Sequence, residues 1–204
     1  VSLLALMSQC KLKPEEMNVY NIGFVLGPCM NASGRLDTAE ITLDLLLTKK
    51  EPQASVLAAK LVELNEERKK MTEQSLNQAI ELIQMKGWDQ DKVMVVFLPD
   101  CHESIAGIIA GRLRERYYRP VFVLTRGEGA IKGSGRSIEG YSMFEEMVKV
   151  SELFLKFGGH PLAAGCSLSE ENVDLLRVRL NQLCELDEED FISKVYIDIP
   201  MPMD

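Results

Sequence analysis

The sequence lacks most of the motifs that identify a catalytic centre. It has only two histidines among 204 residues, and no GxGxxG, Walker or nucleophile-elbow motif occurs in it. Metal-dependent phosphodiester hydrolysis requires several carboxylates and imidazoles that converge on divalent ions. No such cluster is visible in the sequence. Taken by itself, the chain is therefore predicted to bind a ligand without holding a metal centre.

The cysteines also form no recognisable pattern. They are odd in number and contain no CxxC pair, being Cys10, Cys29, Cys101, Cys166 and Cys184. This spacing indicates neither a zinc knuckle nor a disulfide framework, and it suits a reducing compartment. No apolar run approaches the roughly 20 residues that a membrane span needs, and no segment resembles a signal peptide. We therefore expect a cytoplasmic protein that has no membrane partner.

Basic residues are too few for a general affinity for nucleic acid, but they are unevenly distributed. The formal net charge is −8. Residues 1–102 carry 11 basic and 14 acidic groups, residues 103–168 carry 9 and 7, and residues 169–204 carry 3 and 10. Only the middle segment has a positive balance, so an anionic ligand is expected there. Ordinary solvated surface charge is the alternative explanation.

The N-terminal part of the chain is predicted to be helical. The pattern of residues 1–50 predicts a helix, a loop and a second helix, and FVLGPCMNASGRL is the glycine-punctuated loop. Asp37 is the predicted N-cap of the second helix, with Glu40 as its capping-box partner. Residues 51–86 contain no glycine and carry an apolar stripe at helical spacing, which predicts one long helix. Its polar middle, NEERKK at 65–70, favours a solvated strut between two domains.

After Gly87 the pattern changes to alternating strands and helices. Strands are predicted at 93–98, 120–124, 131–137, 163–168 and 194–199, and helices at 104–117, 142–156 and 169–184. The second and third strands are expected to form a hairpin around RGEG. This succession of elements predicts an α/β fold.

The strand IKGSGRS combines cations with glycines. Because side chains alternate along a strand, Lys132, Ser134 and Arg136 share one face and Gly133 and Gly135 the other. Lysine offers a point charge and arginine a planar fork of donors, so this face is suited to phosphate. The glycines permit close approach of a backbone or a bulge. A glycine-softened edge strand with exposed charges is the alternative.

Small residues surround one histidine in the stretch FGGHPLAAG. Gly158 is expected to end the preceding helix, and Gly159 to remove an obstacle to a ligand. Pro161 restrains the turn that follows His160, and the next strand is kept thin by its alanines and glycine. An imidazole presented in this way can hydrogen-bond a phosphate or a base. A purely structural histidine is the alternative.

The other histidine lies at the start of a predicted helix, in CHESIAGIIAGRL. Helix N-termini attract anions, and Gly107 and Gly111 would allow this helix to pack tightly on the sheet. We favour a simpler interpretation, in which Ser104 caps the helix and His102 is a loop residue.

Taken in order, these motifs resemble the RecJ-like members of the DHH/DHHA1 phosphoesterase superfamily. FGGHPLAAG resembles the GGHxxAAG signature of the DHHA1 domain, and GPCMNASGRLDTA resembles the GPxxNAxGRL loop of RecJ-like exonucleases. KGSGRS and HESIAGIIAGRL match the same family in the same order. The GGHxxAAG signature alone also fits oligoribonucleases, cyclic-dinucleotide phosphodiesterases and a non-catalytic synthetase appendage, which remain the alternatives.

The resemblance implies a DHHA1-type mixed sheet flanked by helices, preceded by a connecting helix and a helical part of a DHH domain. The implied limits are 1–50 for the DHH part, 51–86 for the helix, 87–190 for DHHA1 and 191–204 for a following domain or tail. Relatives of this kind carry two Mn²⁺ or Mg²⁺ ions in an N-terminal DHH domain, and single-stranded DNA threads between the domains. The implied function is 5′→3′ exonuclease action in DNA repair and recombination, with this chain alone inactive and binding no metal.

The resemblance also implies roles for particular residues. Asn31 and Arg35 fall in the GRL loop near the scissile bond, where Cys29 replaces a common arginine and removes a phosphate contact. His160 falls on the histidine that faces the metal centre and steadies the phosphate under attack. A second group of residues is expected to contact DNA phosphate, with Arg136 at the 5′ end of the strand. Its members are Lys132, Ser134, Arg136, Ser137, Gly158 and Gly159.

Overall fold

The computed structural model describes residues 1–194 and 197–199, and it divides into two compact units at residues 75 and 76. The division falls inside the long helix, whereas the domain limits expected from the sequence remain a prediction. The strand predicted at 194–199 includes positions outside the described residues. No helix in the described ranges is long and apolar enough to cross a membrane.

The first unit is helical. Its helices are α1 (Ser2–Gln9), α2 (Val19–Asn21), α3 (Gly27–Leu36), α4 (Glu40–Leu47) and the first part of α5 (Glu51–Lys86), with a π-helical turn at Ile22–Leu26. Its buried apolar core draws on four of these helices and on that turn: Leu6, Met7, Leu26, Cys29, Leu45, Ala54, Ala58 and Leu61.

The segment expected to be a glycine-punctuated loop is in fact helix α3. Pro28 lies in the first helical turn, where the missing N–H costs no hydrogen bond. Cys29 and Ala32 are buried in the unit's core, so tertiary packing outweighs the weak helix propensity of the glycines. Asp37 consequently ends α3. It does not cap α4, whose N-cap Ala39 makes no side-chain bond.

The polar middle of α5 is only partly solvated, which corrects the expectation that it is solvated throughout. Asn65 is buried, and its Nδ2 donates a hydrogen bond to the Cys29 sulfur at 3.4 Å. Arg68 donates to Asn65 Oδ1 through Nε at 3.3 Å and Nη2 at 2.9 Å. This stretch of α5 therefore packs against the first unit and exposes only part of its surface.

The second unit contains a five-stranded mixed sheet. The strands are β1 (Met94–Phe97), β2 (Val121–Arg126), β3 (Ile131–Arg136), β4 (Phe154–His160) and β5 (Ala163–Leu168), in the order β1-β2-β3-β5-β4. Of these five described strands, only β1 and β2 pair in parallel. Helices α6 (Glu103–Tyr117), α7 (Met143–Val148) and α8 (Val173–Leu183) flank the sheet. The predicted α/β class and the predicted hairpin of β2 and β3 are confirmed.

One predicted helix in this unit is too long. The expected helix at 142–156 ends at Val148, and after a short 3-10 turn the chain forms strand β4. Gly158 is therefore no helix C-cap, because it lies within β4 opposite Gly165. Long-range pairing with β5 decides this segment, and no local periodicity in FLKFGGH reveals it. Gly87, by contrast, ends α5 with φ +67° as predicted.

The two faces of β3 have different surroundings, as alternation predicts. A Cβ at Gly133 would lie 2.5 Å from the Cys166 sulfur, and one at Gly135 would lie 2.7 Å from the Met143 sulfur. These glycines therefore make room for core side chains, and they do not serve a ligand or a bulge. On the opposite face, helix α6 packs against β2 and β3.

Candidate nucleic-acid interface

Strands β3, β5 and β4 align three rows of residues on one face of the sheet. The rows are Arg136–Ala163–His160, Ser134–Gly165–Gly158 and Lys132–Ser167–Lys156. Directly paired residues on antiparallel strands point to the same side of a sheet. We call these nine residues the open face. Polar side chains occupy its first and third rows, and bare backbone forms most of its middle.

The middle row is open to solvent. A Cβ at Gly158 would meet no atom within 4 Å, and at Gly165 the nearest atom, the carbonyl oxygen of Gly133, would lie 3.9 Å away. Both glycines are exposed. A ligand can therefore approach the backbone of β4 and β5 closely along this row.

Gly159 serves a different purpose from the one expected. A Cβ there would lie 2.7 Å from the Ala164 Cα and still closer to the carbonyl oxygen of Ala163. Its missing side chain therefore makes room for the backbone of β5 and does not clear space for a ligand.

Arg136 and His160 line the same cavity, of about 430 Å³. Arg114 and Lys194 also line it, so cationic groups outnumber its single acidic residue among the described ones, Glu139. The Arg114 Nε is buried and makes no hydrogen bond to any of the described residues. Arg114 was not among the predicted site residues, although the basic residues at helical spacing in α6 were a usable signal. The cavity is suited to an anion.

Backbone hydrogen bonds hold His160 in place. The N–H of Leu162 donates to the His160 Nδ1 at 3.3 Å. A neutral imidazole whose Nδ1 accepts carries its proton on Nε2, so Nε2 is the donor available to a ligand. The turn after His160 is tied down because Met143 N donates to Pro161 O and Ser137 N donates to Leu162 O, each at 2.9 Å.

Helix α6 positions the Arg136 guanidinium. The Arg136 Nη1 donates to the carbonyl oxygen of Gly135 at 2.7 Å. A Cβ at Gly107 would lie 3.0 Å from Arg136 Nη2 and 3.5 Å from Ser134 Oγ. Gly107 thus leaves room for these two side chains of β3, which agrees with the expected close packing of the helix on the sheet. At Gly111 a Cβ would meet nothing within 4 Å, so close packing is not observed there.

Two expectations about neighbouring polar residues need correction. His102 itself caps α6, because its Nδ1 accepts from Ser104 N at 3.3 Å and pairs with Ser104 Oγ at 2.7 Å. Ser137 lies on the cavity wall but is only 5% exposed, and its hydroxyl donates to the carbonyl oxygen of Tyr141 at 2.7 Å. Its proton is therefore used within the fold and is not available to phosphate.

The site residues expected in the first unit lie on helix α3. Asn31 and Arg35 are exposed and four residues apart, so they share one side of the helix. Cys29 is buried beside Cys10, with 3.9 Å between the sulfurs, and burial raises the pKa of its thiol to about 12. Position 29 faces the core, so the loss of a phosphate contact inferred there is wrong.

The described residues offer no metal centre. Within them, no three His, Cys, Asp or Glu side chains come together as a group that could hold an ion. The open face presents cations and hydrogen-bond donors, which bind anions and repel metal ions. Its residues therefore do not fit a two-metal site.

The chain is similar to proteins of a known family. Residues 90–186 match the DHHA1 domain. The chain is 40% identical to the single-stranded-DNA-specific exonuclease RecJ of Bacillus subtilis over 90% of its own length and 24% of that protein. It is 35% identical to the Escherichia coli RecJ over 88% of its length and 32% of that protein. It therefore spans about a quarter to a third of these curated relatives.

Solved structures show the same similarity. RecJ from Thermus thermophilus in complex with Mn²⁺ superposes with a TM-score of 0.78 at 30% identity, covering 89% of this chain and 26% of that one. Its complex with Mg²⁺ gives a TM-score of 0.77 at 29% identity, with 89% and 28% covered. The chain is accordingly similar to RecJ proteins, and its residues 90–186 match the DHHA1 domain.

Proposed function

We propose that this chain is the nucleic-acid-binding part of a RecJ-like exonuclease that degrades single-stranded DNA from its 5′ end in cytoplasmic DNA repair and recombination. The observation that carries the proposal is the first row of the open face. There Arg136 and His160, from strands that are not adjacent, line one cavity beside a bare backbone floor. All the relatives named above are RecJ proteins, which supports this proposal over an oligoribonuclease or a cyclic-dinucleotide phosphodiesterase.

In this proposal the open face binds the phosphate and does not hydrolyse it. Arg136 donates from its planar fork to phosphate oxygens, and Ser134 adds a hydroxyl from the next row. His160 donates a hydrogen bond from Nε2 to the phosphate under attack, which orients the phosphate and stabilises its oxygens. The exposed floor at Gly158 and Gly165 receives the sugar–phosphate chain between contacts.

The other parts of the chain have separate roles in this proposal. We propose that residues 1–50 complete a DHH domain, with Asn31 and Arg35 near the scissile bond, and that 51–86 connect it to DHHA1 at 87–190. Residues 191–204 would begin a further domain or tail. Mn²⁺ or Mg²⁺ would bind in the DHH domain, and the Thermus thermophilus RecJ complexes with Mn²⁺ and Mg²⁺ support a metal-dependent enzyme.

DNA binding by the 204-residue chain tests the proposal. We expect a fluorescein-labelled oligothymidine of about twelve nucleotides to bind at low salt and to weaken as salt rises, because phosphate contacts release counterions. His160→Ala should lower the affinity about fivefold, the effect of losing one hydrogen bond of about 1 kcal/mol. His160→Gln, which keeps an N–H donor, should recover part of it. Fluorescence anisotropy measures each affinity, and gel analysis of the same samples with Mn²⁺ should show intact oligonucleotide.

The proposal fails if the chain does not bind the oligonucleotide at low salt, or if His160→Ala and His160→Gln both bind as the parent does. If the purified chain hydrolysed the oligonucleotide and a substitution on the open face abolished that hydrolysis, the open face would not have a binding role alone.

Gly107 offers a test of how Arg136 is positioned. Gly107→Ala should leave the unit as stable or slightly more stable, because alanine is favoured over glycine in a helix by about 1 kcal/mol. Its Cβ should displace the guanidinium by a few tenths of an ångström and weaken DNA binding about threefold. Gly111→Ala on the same helix is the matched control, since its Cβ meets nothing within 4 Å. Equal affinities for the two variants would show that the guanidinium is not held as described.

A further inference from the structure

The third row of the open face forms a second cationic group. Lys132, Ser167 and Lys156 line a cavity of about 340 Å³ whose wall includes the exposed backbone of Gly158 and Gly165. None of the described residues that line this cavity is acidic. The cavity therefore begins at the bare floor and ends at two lysines and a hydroxyl, a composition that attracts anions.

Local structure constrains the side chains of both lysines. The Lys132 side chain passes over Gly127, where a Cβ would overlap the Lys132 Cγ. Lys156 follows a register irregularity between Phe154 and Lys156, and such irregularities re-aim the side chains beside them. The two cations thus reach one cavity from strands separated by β5.

Salt bridges engage some of the described surface lysines, but not Lys132 or Lys156. Several lysines pair with a glutamate three residues away, namely Lys13, Lys60, Lys69 and Lys149. Neither Lys132 nor Lys156 forms a salt bridge with any residue in the described part of the chain. Lys132 also lines a neighbouring cavity that contains Glu103 and Glu128, whereas the cavity shared with Lys156 has no acidic residue among its described lining residues.

The two cationic groups are too far apart to bind one phosphate. Along β5 the first row is at Ala163 and the third at Ser167, four residues later. At roughly 3.3 Å per residue this separation is about 13 Å. A stacked strand that rises about 3.4 Å per nucleotide would need about four nucleotides to span it.

We propose that Lys132, Lys156 and Ser167 form a second phosphate subsite, which holds the DNA backbone several nucleotides from the phosphate at Arg136 and His160. The inference rests on the proposed function and extends it, because it gives the open face two separate anchors. Between them the strand lies over Gly158 and Gly165, where no described side chain obstructs it. The subsite sets a minimum length for tight binding.

A length series tests this subsite. Oligothymidines of two, four, eight and twelve nucleotides would be compared as competitors for a labelled twelve-nucleotide strand. For the twelve-nucleotide strand, Lys132→Gln/Lys156→Gln should weaken binding about tenfold. The slope of log affinity against log salt should become shallower by about 1.4, as expected for two lost phosphate contacts to a single strand. The difference from the parent chain should shrink as the competitor shortens to two nucleotides.

Controls separate this inference from the proposed function. Lys86→Gln removes a matched exposed lysine that lines neither cavity, and it should change the affinity less than twofold. Substitution of Lys132 could affect folding, so Lys156 is also replaced on its own. Lys156→Glu, which reverses the charge, should weaken binding more than Lys156→Gln. The outcome that contradicts the subsite alone is weaker binding by Arg136→Gln together with unchanged binding by the double variant and both Lys156 variants. In that case the proposed function stands. If no oligonucleotide binds, the function itself is wrong.

Discussion

Gly159→Ala is expected to destabilise the second unit by about 2–3 kcal/mol, as overpacking between fixed atoms does. The new methyl group would lie 2.7 Å from the Ala164 Cα and closer to the carbonyl oxygen of Ala163. These are backbone atoms of β5, so they cannot move aside as the end of a flexible side chain could. The pairing of β4 with β5 would have to separate at His160 and Ala163.

Thermal unfolding followed by tryptophan fluorescence measures this effect. Trp88 is the only tryptophan and belongs to the second unit, with the Arg177 guanidinium over its ring at 4.8 Å. The midpoint should fall by on the order of 10 °C, given about 4 °C per kcal/mol for a unit between the 60–100 and 150–250 residue classes. Gly158→Ala is the neighbouring control and should not lower the midpoint, because its Cβ meets nothing within 4 Å. Equal midpoints for the two variants would contradict the close approach of β4 and β5.

Arg136→Gln is expected to weaken binding of single-stranded DNA by about ten- to a hundredfold. Hydrogen bonds to charged groups contribute about 1.5–3 kcal/mol each, and about 1.4 kcal/mol corresponds to a factor of ten. Glutamine keeps a donor but loses the charge and the fork. Arg114 and Lys194 line the same cavity, so some attraction for the strand should remain.

The lysine variant distinguishes charge from geometry at this position. Arg136→Lys keeps the positive charge but cannot donate two parallel hydrogen bonds, so it should recover the salt dependence more fully than the affinity. Both variants should unfold at the parent's temperature, which tryptophan fluorescence checks. If Arg136→Gln binds DNA as tightly as the parent chain, the first row of the open face is not the phosphate site.

Several elements of the second unit follow from local sequence. The continuous apolar run at 93–98 and the apolar run at 120–124 predict β1 and β2, because buried strands need little else. Simple alternation predicts that Lys132, Ser134 and Arg136 share a face, and the core contacts of Gly133 and Gly135 confirm it. The glycine-free stretch before Gly87 predicts the long helix α5. Each of these inferences uses neighbours within a few residues.

Glycine-rich segments were predicted wrongly where distant contacts decide the conformation. Residues 27–36 are helical because Cys29 and Ala32 are buried in the first unit's core, despite two glycines and a proline. Residues 154–160 are a strand because β5 pairs with them. Glycine tolerates all of these backbone conformations, so its presence alone does not choose among them.

The sequence by itself determined which chemical groups this protein has for an anion: a small-residue stretch around His160, and a strand that alternates cations with glycines. Only the tertiary structure decided that His160 shares a cavity with Arg136 and that Lys156 shares one with Lys132. It also decided that Gly159 makes room for the backbone of β5, whereas Gly158 is open to solvent. These facts depend on the register of β5 against β3 and β4. Register between strands is set by contacts across the whole core, and a shift of one residue would turn each side chain to the other face.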